Sequence, residues 1–309
     1  MRVIIFLFFF NLLIVSIVFG KDTIKIAITI DDLPSHANVP QGLNRVEIAR
    51  KMLSVLKKYN VPEVYGFMCA KRILNEPDLI DVLKLWRSSG YPLGNHTYSH
   101  KSLTRSSAEE FKKDIIDNEP ILKQLADDTN FKFFRYPYLH EGNTQEKRNA
   151  VRKFLVKNGY NIAHVTVDFE DWSWNDPYAR CVAKNDKESI MWLRKTFLRN
   201  ATDKLERAEK ISKYLFKRPI SHILLLHIGA FDAEMLESLL LAYKIKGAKF
   251  VSLTGAINDN IYSYDPQWVF DHGAEFIYQI MKSRGLKSSD IGLKPYLDYP
   301  QEKLDKICR

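Results

Sequence analysis

The sequence predicts an α/β protein built on a parallel β-sheet that is either open or closed into a barrel. Between residues 23 and 251, short β-rich segments alternate with segments of helical periodicity. Polar residues follow several of these strands at their carboxyl ends, which is where α/β proteins collect their active sites. The alternation stops near residue 258, so residues 258–309 are predicted to be an extension packed on the domain, with one helix near 274–284.

The individual elements follow from residue periodicity and from residues that begin or end helices. Strands are predicted at 23–30, 63–68, 91–93, 132–134, 160–167, 223–226 and 248–251. Helices are predicted at 45–59, 78–87, 107–125, 145–158, 188–198, 202–216 and 233–244. Ser107 and Glu110 have the spacing of a capping box, which supports a helix start at that point.

Residues 1–20 are predicted to be a secretory signal peptide that precedes a domain at 21–257. Arg2 is the only charged residue in this segment, and its apolar stretch of about 17 residues is short for a membrane span, which needs roughly 20. An uncleaved membrane anchor is the alternative. We therefore expect a secreted or periplasmic protein with no stable membrane insertion after cleavage.

Charge and cysteine content exclude some classes of protein. The formal net charge is +9, and the basic residues are spread along the predicted helices rather than gathered in one block. This charge distribution is typical of an ordinary basic surface or of one attracted to an anionic envelope polymer, and no nucleic-acid motif is present.

Three cysteines without a CxxC pair do not form a thiolate zinc site. Cys181 and Cys308 are able to pair if the chain is exported, which the sequence leaves open. Asn200 begins a glycosylation sequon.

The most informative stretch is Asn95-His96-Thr97-Tyr98-Ser99-His100. Residues four apart lie on one face of a helical turn, so His96 and His100 are expected to reach one metal ion. The apolar segment before them predicts that the pair lies where a strand ends and a helix begins. A His pair with this spacing is also common on a solvated helix, so the assignment needs a third ligand.

That ligand is expected at the end of the first strand, where Asp31 and Asp32 form an acidic pair. Neighbouring side chains on a strand point to opposite sides, so one carboxylate is able to bind a metal while the other stays free as a base. Asp32, His96 and His100 match the three-ligand pattern of catalytic zinc. The same set describes the facial triad of non-haem iron oxygenases. The neighbouring Asp31 favours a hydrolase, which needs a base beside the metal.

A hydrolase also needs an acid for the leaving group, and His227 follows the apolar strand 223–226. A nearby carboxylate such as Asp171 would raise the pKa of this histidine and keep it protonated. Arg135 follows another strand and is able to orient the base Asp31. Each residue also has an ordinary structural interpretation: a buried core histidine, a turn aspartate and a surface ion pair.

Five motifs in this order resemble those of the polysaccharide deacetylases of carbohydrate esterase family 4, which share the NodB homology domain. The family's T-F-D-D motif is similar to residues 29–32, and its H-[ST]-x-x-H motif is matched in full by 96–100. The R-P-P-Y motif is similar to 135–138, the D-x-x-D-W motif is matched by 168–172, and the L-x-L-L-H motif is similar to 224–227. The resemblance covers roughly residues 25–254.

The resemblance implies a distorted (β/α)7 barrel with a C-terminal extension. It implies a divalent metal, Zn²⁺ or another such as Co²⁺ or Mn²⁺, held by Asp32, His96 and His100. It implies that Asp31 is the base, that Arg135 orients it, and that Asp171 tunes the acid His227. It further implies a backbone N–H of Tyr138 that binds the oxyanion, and an acetyl pocket lined by Trp172 and Leu226.

The function expected from this resemblance is metal-dependent removal of N-acetyl groups from amino sugars of a polysaccharide. With a signal peptide and a basic surface, peptidoglycan is the first expected substrate and chitin or chitooligosaccharide the second. A small-amide hydrolase and a non-catalytic glycan binder on the same fold remain alternatives. The sequence gives no indication of oligomeric state.

The chain departs from the family pattern at two places. Leu33 and Pro34 follow the aspartate pair where the family has glycine, and Ile228 follows His227 where the family has aspartate. These changes are expected to alter substrate fit rather than metal binding. The other histidines carry no pattern and are predicted to be structural: His36, His140, His164, His222 and His272.

Overall fold

The computed structural model describes residues 23–126, 131–293 and 299–309, which form parallel strands surrounded by helices. The strands are β1 (Ile24–Leu33), β2 (Tyr65–Met68), β3 (Leu93–Asn95), β4 (Phe133–Phe134), β5 (Asn161–Ile162), β6 (Ser221–His227) and β7 (Ala248–Val251). The helices are α1 (Arg45–Lys58), α2 (Lys71–Asn75), α3 (Ile80–Ser88), α4 (Ala108–Ala126), α5 (Gln145–Lys157), α6 (Asn175–Ala183), α7 (Lys187–Phe216), α8 (Ala230–Ile245), α9 (Leu253–Ile257), α10 (Phe276–Ser283) and α11 (Gln301–Lys306). The predicted α/β class is confirmed.

The strands form one curled parallel sheet in the order β5-β4-β3-β2-β1-β6, and β7 also pairs with β1. The first residues of β1 pair with β7, its last residues pair with β2, and β6 pairs with it from Lys25 to Asp31. Val167, which follows β5, forms an isolated parallel bridge with Leu224 of β6. This bridge joins the two ends of the curled sheet, so the arrangement agrees with the predicted distorted (β/α)7 barrel.

The parallel direction of the strands brings their carboxyl ends to one side of the sheet. Every residue from Ile26 to Leu33 in β1 is buried, as expected of a parallel strand that is covered on both faces. Asp31 at the end of β1 is in register with His227 at the end of β6. The polar residues predicted at strand ends therefore lie on the same side of the sheet.

Three predicted elements differ most from the structure in length. The two helices predicted at 188–198 and 202–216 are one helix, α7, because no glycine or proline interrupts the sequence between them. Asn200 of the sequon lies within this helix, is 2% exposed and donates a hydrogen bond to the carbonyl of Thr196. It is therefore inaccessible to a glycosyltransferase in the folded chain. The strand predicted at 160–167 is limited to β5, after which the chain bends towards β6.

The predicted capping box is confirmed at the start of α4. The Ser107 side chain accepts a hydrogen bond from the N–H of Glu110, and the Glu110 carboxylate accepts one from the N–H of Ser107. A second capping box, which the sequence analysis did not identify, begins α1 through Asn44 and Glu47. Both boxes satisfy backbone donors that have no partner within the helix.

The described part of the extension packs on the domain. Phe276 of α10 is 1% exposed and stacks on His164 with ring centroids 4.0 Å apart. A disulfide joins Cys181 of α6 to Cys308, which settles the pairing that the sequence left open.

The domain boundaries at 257 and 258 remain predictions, and the signal peptide predicted at 1–20 lies outside the described residues. Among the residues that are described, none of the helices has the length and apolar character needed to cross a membrane.

Replacing both Cys181 and Cys308 with serine is expected to lower the stability of the fold. The disulfide links residues 127 positions apart, and closing so long a loop restricts the unfolded chain. The free energy of unfolding is expected to fall by roughly 2–4 kcal/mol. Denaturant titration of the double variant beside the wild type measures this change, with the wild type in thiol reductant as a control because it loses the same link without a substitution. Equal stability of double variant and wild type would contradict the expectation.

Candidate active site

A cavity of about 520 Å³ opens at the carboxyl ends of the strands. The predicted site residues on its wall are Asp31, Asp32, His96, His100, Tyr138, Trp172 and His227. The extension contributes His272, Gly273, Ala274 and Glu275 to the same wall. The structure therefore brings most of the residues chosen from sequence into one open cavity, and it adds a wall that lies outside the recognised motifs.

The acidic pair at the end of β1 does not alternate in the way the sequence analysis predicted. Asp32 has a φ of 67°, and the pairing with β2 is irregular between Ile30 and Leu33. This left-handed residue ends the regular pleat, so both carboxylates line the same cavity instead of pointing to opposite sides. The two aspartates remain distinct because each has different partners.

His96 and His100 also differ from the prediction, because they lie in a loop and not on a helical turn. Thr97 and His100 have φ values of 60° and 57°, and the next helix, α4, begins only at Ala108. The Asn95 side-chain oxygen accepts hydrogen bonds from the N–H of Thr97 and from the Asn118 side chain. This buried amide network holds the loop in the shape that brings both imidazoles to the cavity.

Asp32, His96 and His100 form a compact cluster in which one potential ligand atom from each lies within 4.8 Å of the others. His100 Nε2 is 3.1 Å and His96 Nε2 is 3.7 Å from Asp32 Oδ1. His96 Nδ1 lies 2.8 Å from the carbonyl oxygen of Arg135 and donates to it, which leaves Nε2 as the free ligand atom. Two imidazoles and one carboxylate are a donor set that divalent metals accept.

One observation tests whether these residues fit a metal ion. Asp32 Oδ1 is buried and makes no hydrogen bond within the described part of the chain, although it faces both imidazoles and lies 3.3 Å from Arg72 Nη2. A buried carboxylate oxygen without a hydrogen bond is costly unless something else satisfies it. A cation at the centre of the cluster would do so, and the donor set therefore fits a divalent metal.

The protonation states favour the same interpretation. Burial lowers the pKa of His100 to about 4 and holds the pKa of His96 well below its ordinary value, so both imidazoles are neutral. Burial would raise the pKa of Asp32, but the neighbouring His100, the hydrogen bond from His36 and Arg72 together lower it well below its usual range. Neutral imidazoles and an ionised carboxylate are the forms that bind metal.

Asp31 is held beside the cluster without belonging to it. Arg135 Nη1 lies 3.2 and 3.3 Å from the two Asp31 oxygens, and the buried guanidinium is itself fixed by Thr29 and the carbonyl of Ala163. Asp31 Oδ2 is 3.7 Å from His96 Nε2. Burial raises the pKa of Asp31 to about 7, against the opposing effect of Arg135. The predicted base and the residue predicted to orient it are therefore in contact.

His227 lies on another wall of the cavity in contact with the predicted Asp171. The Asp171 carboxylate accepts hydrogen bonds from His227 Nδ1 at 2.9 Å and from the His227 backbone N–H at 2.7 Å. Burial would lower the pKa of His227, but Asp171 outweighs it and raises the pKa to about 10. Burial and the charge of Asp171 also raise the pKa of Asp232 well above its usual range. Asp171 is thus the ionised member of the group, and His227 is a protonated imidazole.

Replacing Asp171 with asparagine is expected to shift the alkaline limb of the activity profile. His227 can act as an acid only below its own pKa, which Asp171 raises to about 10. Without the carboxylate, burial is unopposed and the pKa falls, so activity should be lost at lower pH as the pH rises. The measurement is kcat/KM against pH for wild type and Asp171→Asn. An alkaline limb at the same pH in both proteins would contradict the assignment.

The residues predicted to contact the substrate are only partly placed as expected. Tyr138 has a φ of 59°, and its ring packs edge-on against His100 at 4.4 Å between centroids. Trp172 lines the cavity and is 43% exposed. The assignment of Leu226 to the pocket is wrong: Leu226 is 1% exposed in the core, and Leu225 lines the cavity instead. Side chains alternate along β6, so His227 and Leu225 share one face.

Sequence analysis missed several residues that reach the site. His36, His140 and His272 were predicted to be structural, but all three line the cavity. No motif spacing marks them: a local turn after Asp32 places His36 there, whereas long-range packing places His140 and His272. By contrast, the pairing of His164 with Glu141 and of His222 with Glu209 agrees with a structural role.

The extension also reaches the cavity through Gly273. A Cβ at this position would fall 2.0 Å from the carbonyl oxygen of Tyr138, so no side chain fits there. Glu275, two residues on, pairs with Lys204 of α7 at a distance of 2.7 Å. Residues outside the recognised motifs thus pack directly against the segment that contains Tyr138.

The protein belongs to the α/β class. Its curled parallel sheet is a barrel of the deacetylase type, with a carboxylate–imidazole cluster at the carboxyl ends of the strands. Residues 20–163 match the family model described as polysaccharide deacetylase. The resemblance recognised from the motifs is confirmed.

Named relatives and a solved structure agree with this assignment. The chain is 30% identical over 148 residues to a peptidoglycan-N-acetylglucosamine deacetylase of Bacillus cereus, covering 48% of this chain and 46% of that one. It is 26% identical over 152 residues to a chitin deacetylase of Arthroderma benhamiae, covering 49% and 36%. The chain therefore spans less than half the length of these relatives.

The solved chitin deacetylase of Colletotrichum lindemuthianum superposes with a TM-score of 0.53 at 18% identity, covering 82% of this chain and 94% of that one. At this identity the similarity shows the fold alone. It extends well beyond residue 163, which supports a single barrel that continues past the matched family region.

Proposed function

We propose that this protein is a metal-dependent hydrolase that removes N-acetyl groups from amino sugars of a polysaccharide. The observation that carries the proposal is the arrangement of three groups in one cavity. The carboxylate Asp31 and the imidazole His227 both line the cavity that contains the cluster of Asp32, His96 and His100. Amide hydrolysis needs a base for water and an acid for the departing amine, and this cavity provides one candidate for each.

Each step is assigned to residues whose contacts suit it. A divalent metal held by Asp32, His96 and His100 would supply Lewis-acid chemistry, polarising the acetyl carbonyl and making water more acidic. Asp31, fixed by Arg135, accepts the proton of the attacking water. The backbone N–H of Tyr138 is proposed to donate to the developing oxyanion. His227, kept protonated by Asp171, donates a proton to the amine as the C–N bond breaks.

Peptidoglycan is the proposed first substrate and chitin-type oligomers are the second. The support for peptidoglycan is the name of the Bacillus cereus relative, together with a net charge of +9, which favours an anionic polymer. The support for chitin is the name of the Arthroderma benhamiae relative. The cavity is open, and the exposed faces of Trp172 and Tyr138 give a sugar chain two aromatic surfaces to contact.

Zinc is the proposed metal because two imidazoles, one carboxylate and an open position are typical of catalytic zinc; Co²⁺ and Mn²⁺ are alternatives. Export to the periplasm or the medium is the proposed location. The disulfide between Cys181 and Cys308 supports it, since disulfides persist mainly in oxidising compartments. Residues 1–20 are proposed to direct this export.

The experiment is acetate release by the purified protein, with Zn²⁺ supplied, on peptidoglycan and on chitin oligomers. Acetate release from peptidoglycan is the expected result. Acetate from chitin oligomers alone would replace the proposed substrate but keep the reaction. No acetate from either polymer, by protein that still binds metal, would contradict the proposal and favour a small-amide hydrolase or a glycan-binding protein.

A further inference from the structure

The imidazole of His36 lies against the metal-binding cluster, although His36 belongs to none of the recognised motifs. Its Nδ1 is 2.7 Å from Asp32 Oδ2, and its side chain is only 15% exposed. We propose that His36 is a positioning residue that fixes the Asp32 carboxylate so that Oδ1 is presented to the metal. This inference rests on the proposed metal site and adds a residue that tunes its affinity.

The backbone around His36 is built to bring the ring back over the carboxylate. The N–H of Ser35 donates to the carbonyl of Asp32 at 2.9 Å, which closes a turn immediately after the ligand. The Arg45 guanidinium then donates to the carbonyl oxygens of His36 and Ala37 at 2.5 and 2.6 Å. Two independent sets of hydrogen bonds therefore hold the segment, and the imidazole has little freedom to leave Asp32.

The two oxygens of Asp32 have different surroundings, which gives the His36 contact its consequence. Oδ2 accepts the hydrogen bond from His36, whereas Oδ1 faces His96 and His100 and has no hydrogen bond from any residue that the structure describes. Arg72 Nη2 also lies 3.3 Å from Oδ1, the oxygen that faces the imidazoles. The hydrogen bond from His36 to Oδ2 opposes rotation of the carboxylate and so keeps Oδ1 directed at the imidazoles.

A carboxylate that is already held in its binding orientation loses less conformational entropy on metal binding than one that must first be ordered. Hydrogen-bonding partners of metal ligands typically alter metal affinity by about 10- to 100-fold when removed. The His36 ring is also 4.7 Å from the His227 ring, so its replacement could disturb the acid as well as the metal site. Metal affinity, rather than activity, is therefore the measurement that isolates the proposed role.

The test uses two substitutions that separate the hydrogen bond from the ring. In His36→Asn, the side-chain amide nitrogen occupies the same branch as Nδ1 and is able to donate to Asp32. In His36→Leu, the bulk is retained but the donor is lost. Zn²⁺ dissociation constants are measured by competition with a chromophoric chelator, with His272→Leu as a control because His272 lines the cavity but pairs with the exposed Asp271.

His36→Leu is expected to bind Zn²⁺ about 10- to 100-fold more weakly than wild type. His36→Asn is expected to stay closer to wild type, and His272→Leu should be unchanged. Thermal unfolding of the metal-free variants establishes that each is folded. Wild-type affinity in His36→Leu, or equal weakening in the leucine and asparagine variants, would overturn the inference. Failure of the wild type itself to bind a divalent metal would instead overturn the proposed function.

Discussion

Replacement of Asp31 with asparagine is expected to lower acetate release by about 100- to 10,000-fold, the usual range for a general base. Asparagine has the same shape but cannot take a proton from water. Arg135 lies within 3.3 Å of both Asp31 oxygens, so the asparagine side chain should stay in place. Because Asp31 is outside the ligand set, Zn²⁺ affinity should be retained, and the loss should appear in kcat.

Asp168→Asn is a matched control for this substitution. Asp168 is another aspartate of the same cavity and is half-buried, and desolvation, with nearby Glu275, raises its pKa to about 7. No step of the proposed reaction uses it, so its replacement should leave kcat close to wild type. Full activity in Asp31→Asn, or an equal loss in both variants, would contradict the assignment of Asp31 as the base.

Replacement of His100 with alanine is expected to weaken Zn²⁺ binding by more than about 100-fold. Losing a residue that only hydrogen-bonds to a ligand weakens binding by up to about 100-fold, and losing a ligand should cost more affinity. The reason is direct: the three-residue cluster would lose one of its two imidazoles. His100 lies in a loop and is partly exposed, so the fold should survive the change. Equilibrium dialysis followed by metal analysis gives the affinity and the stoichiometry.

His140→Ala is the control for the His100 variant. His140 lines the same cavity but pairs with the Ser102 hydroxyl at 2.8 Å and is outside the cluster. Its replacement should leave metal affinity unchanged. If His100→Ala retained one tightly bound Zn²⁺ per chain, the cluster would not be the metal site and the resemblance would have misplaced a ligand.

The sequence predicted the fold well where the information is local. Helical spacing located α1 and α5 to within a residue, and the strand predicted at 248–251 coincides with β7. The site could be anticipated as well, because parallel strands present their carboxyl ends at one edge of the sheet. Polar residues after β1, β3 and β6 therefore had to meet, whatever the details of packing.

Other features depend on backbone shape or on distant contacts, and local patterns do not encode them. Strand alternation placed Asp31 and Asp32 on opposite sides, but the positive φ of Asp32 places both in the cavity. Helical spacing suggested one face for His96 and His100, yet the Asn95 network folds this segment as a loop. The contact of Gly273 with Tyr138 joins residues far apart in sequence, so only packing reveals it.

The most direct test of the account is a titration of metal-free protein with Zn²⁺ in which bound metal and acetate release are measured on the same samples. Activity is expected to rise in proportion to bound Zn²⁺ and to reach its maximum at one ion per chain, as one three-residue cluster requires. In His100→Ala, both quantities should stay low over the same range. Acetate release by the metal-free protein, or release that does not follow bound metal, would contradict it.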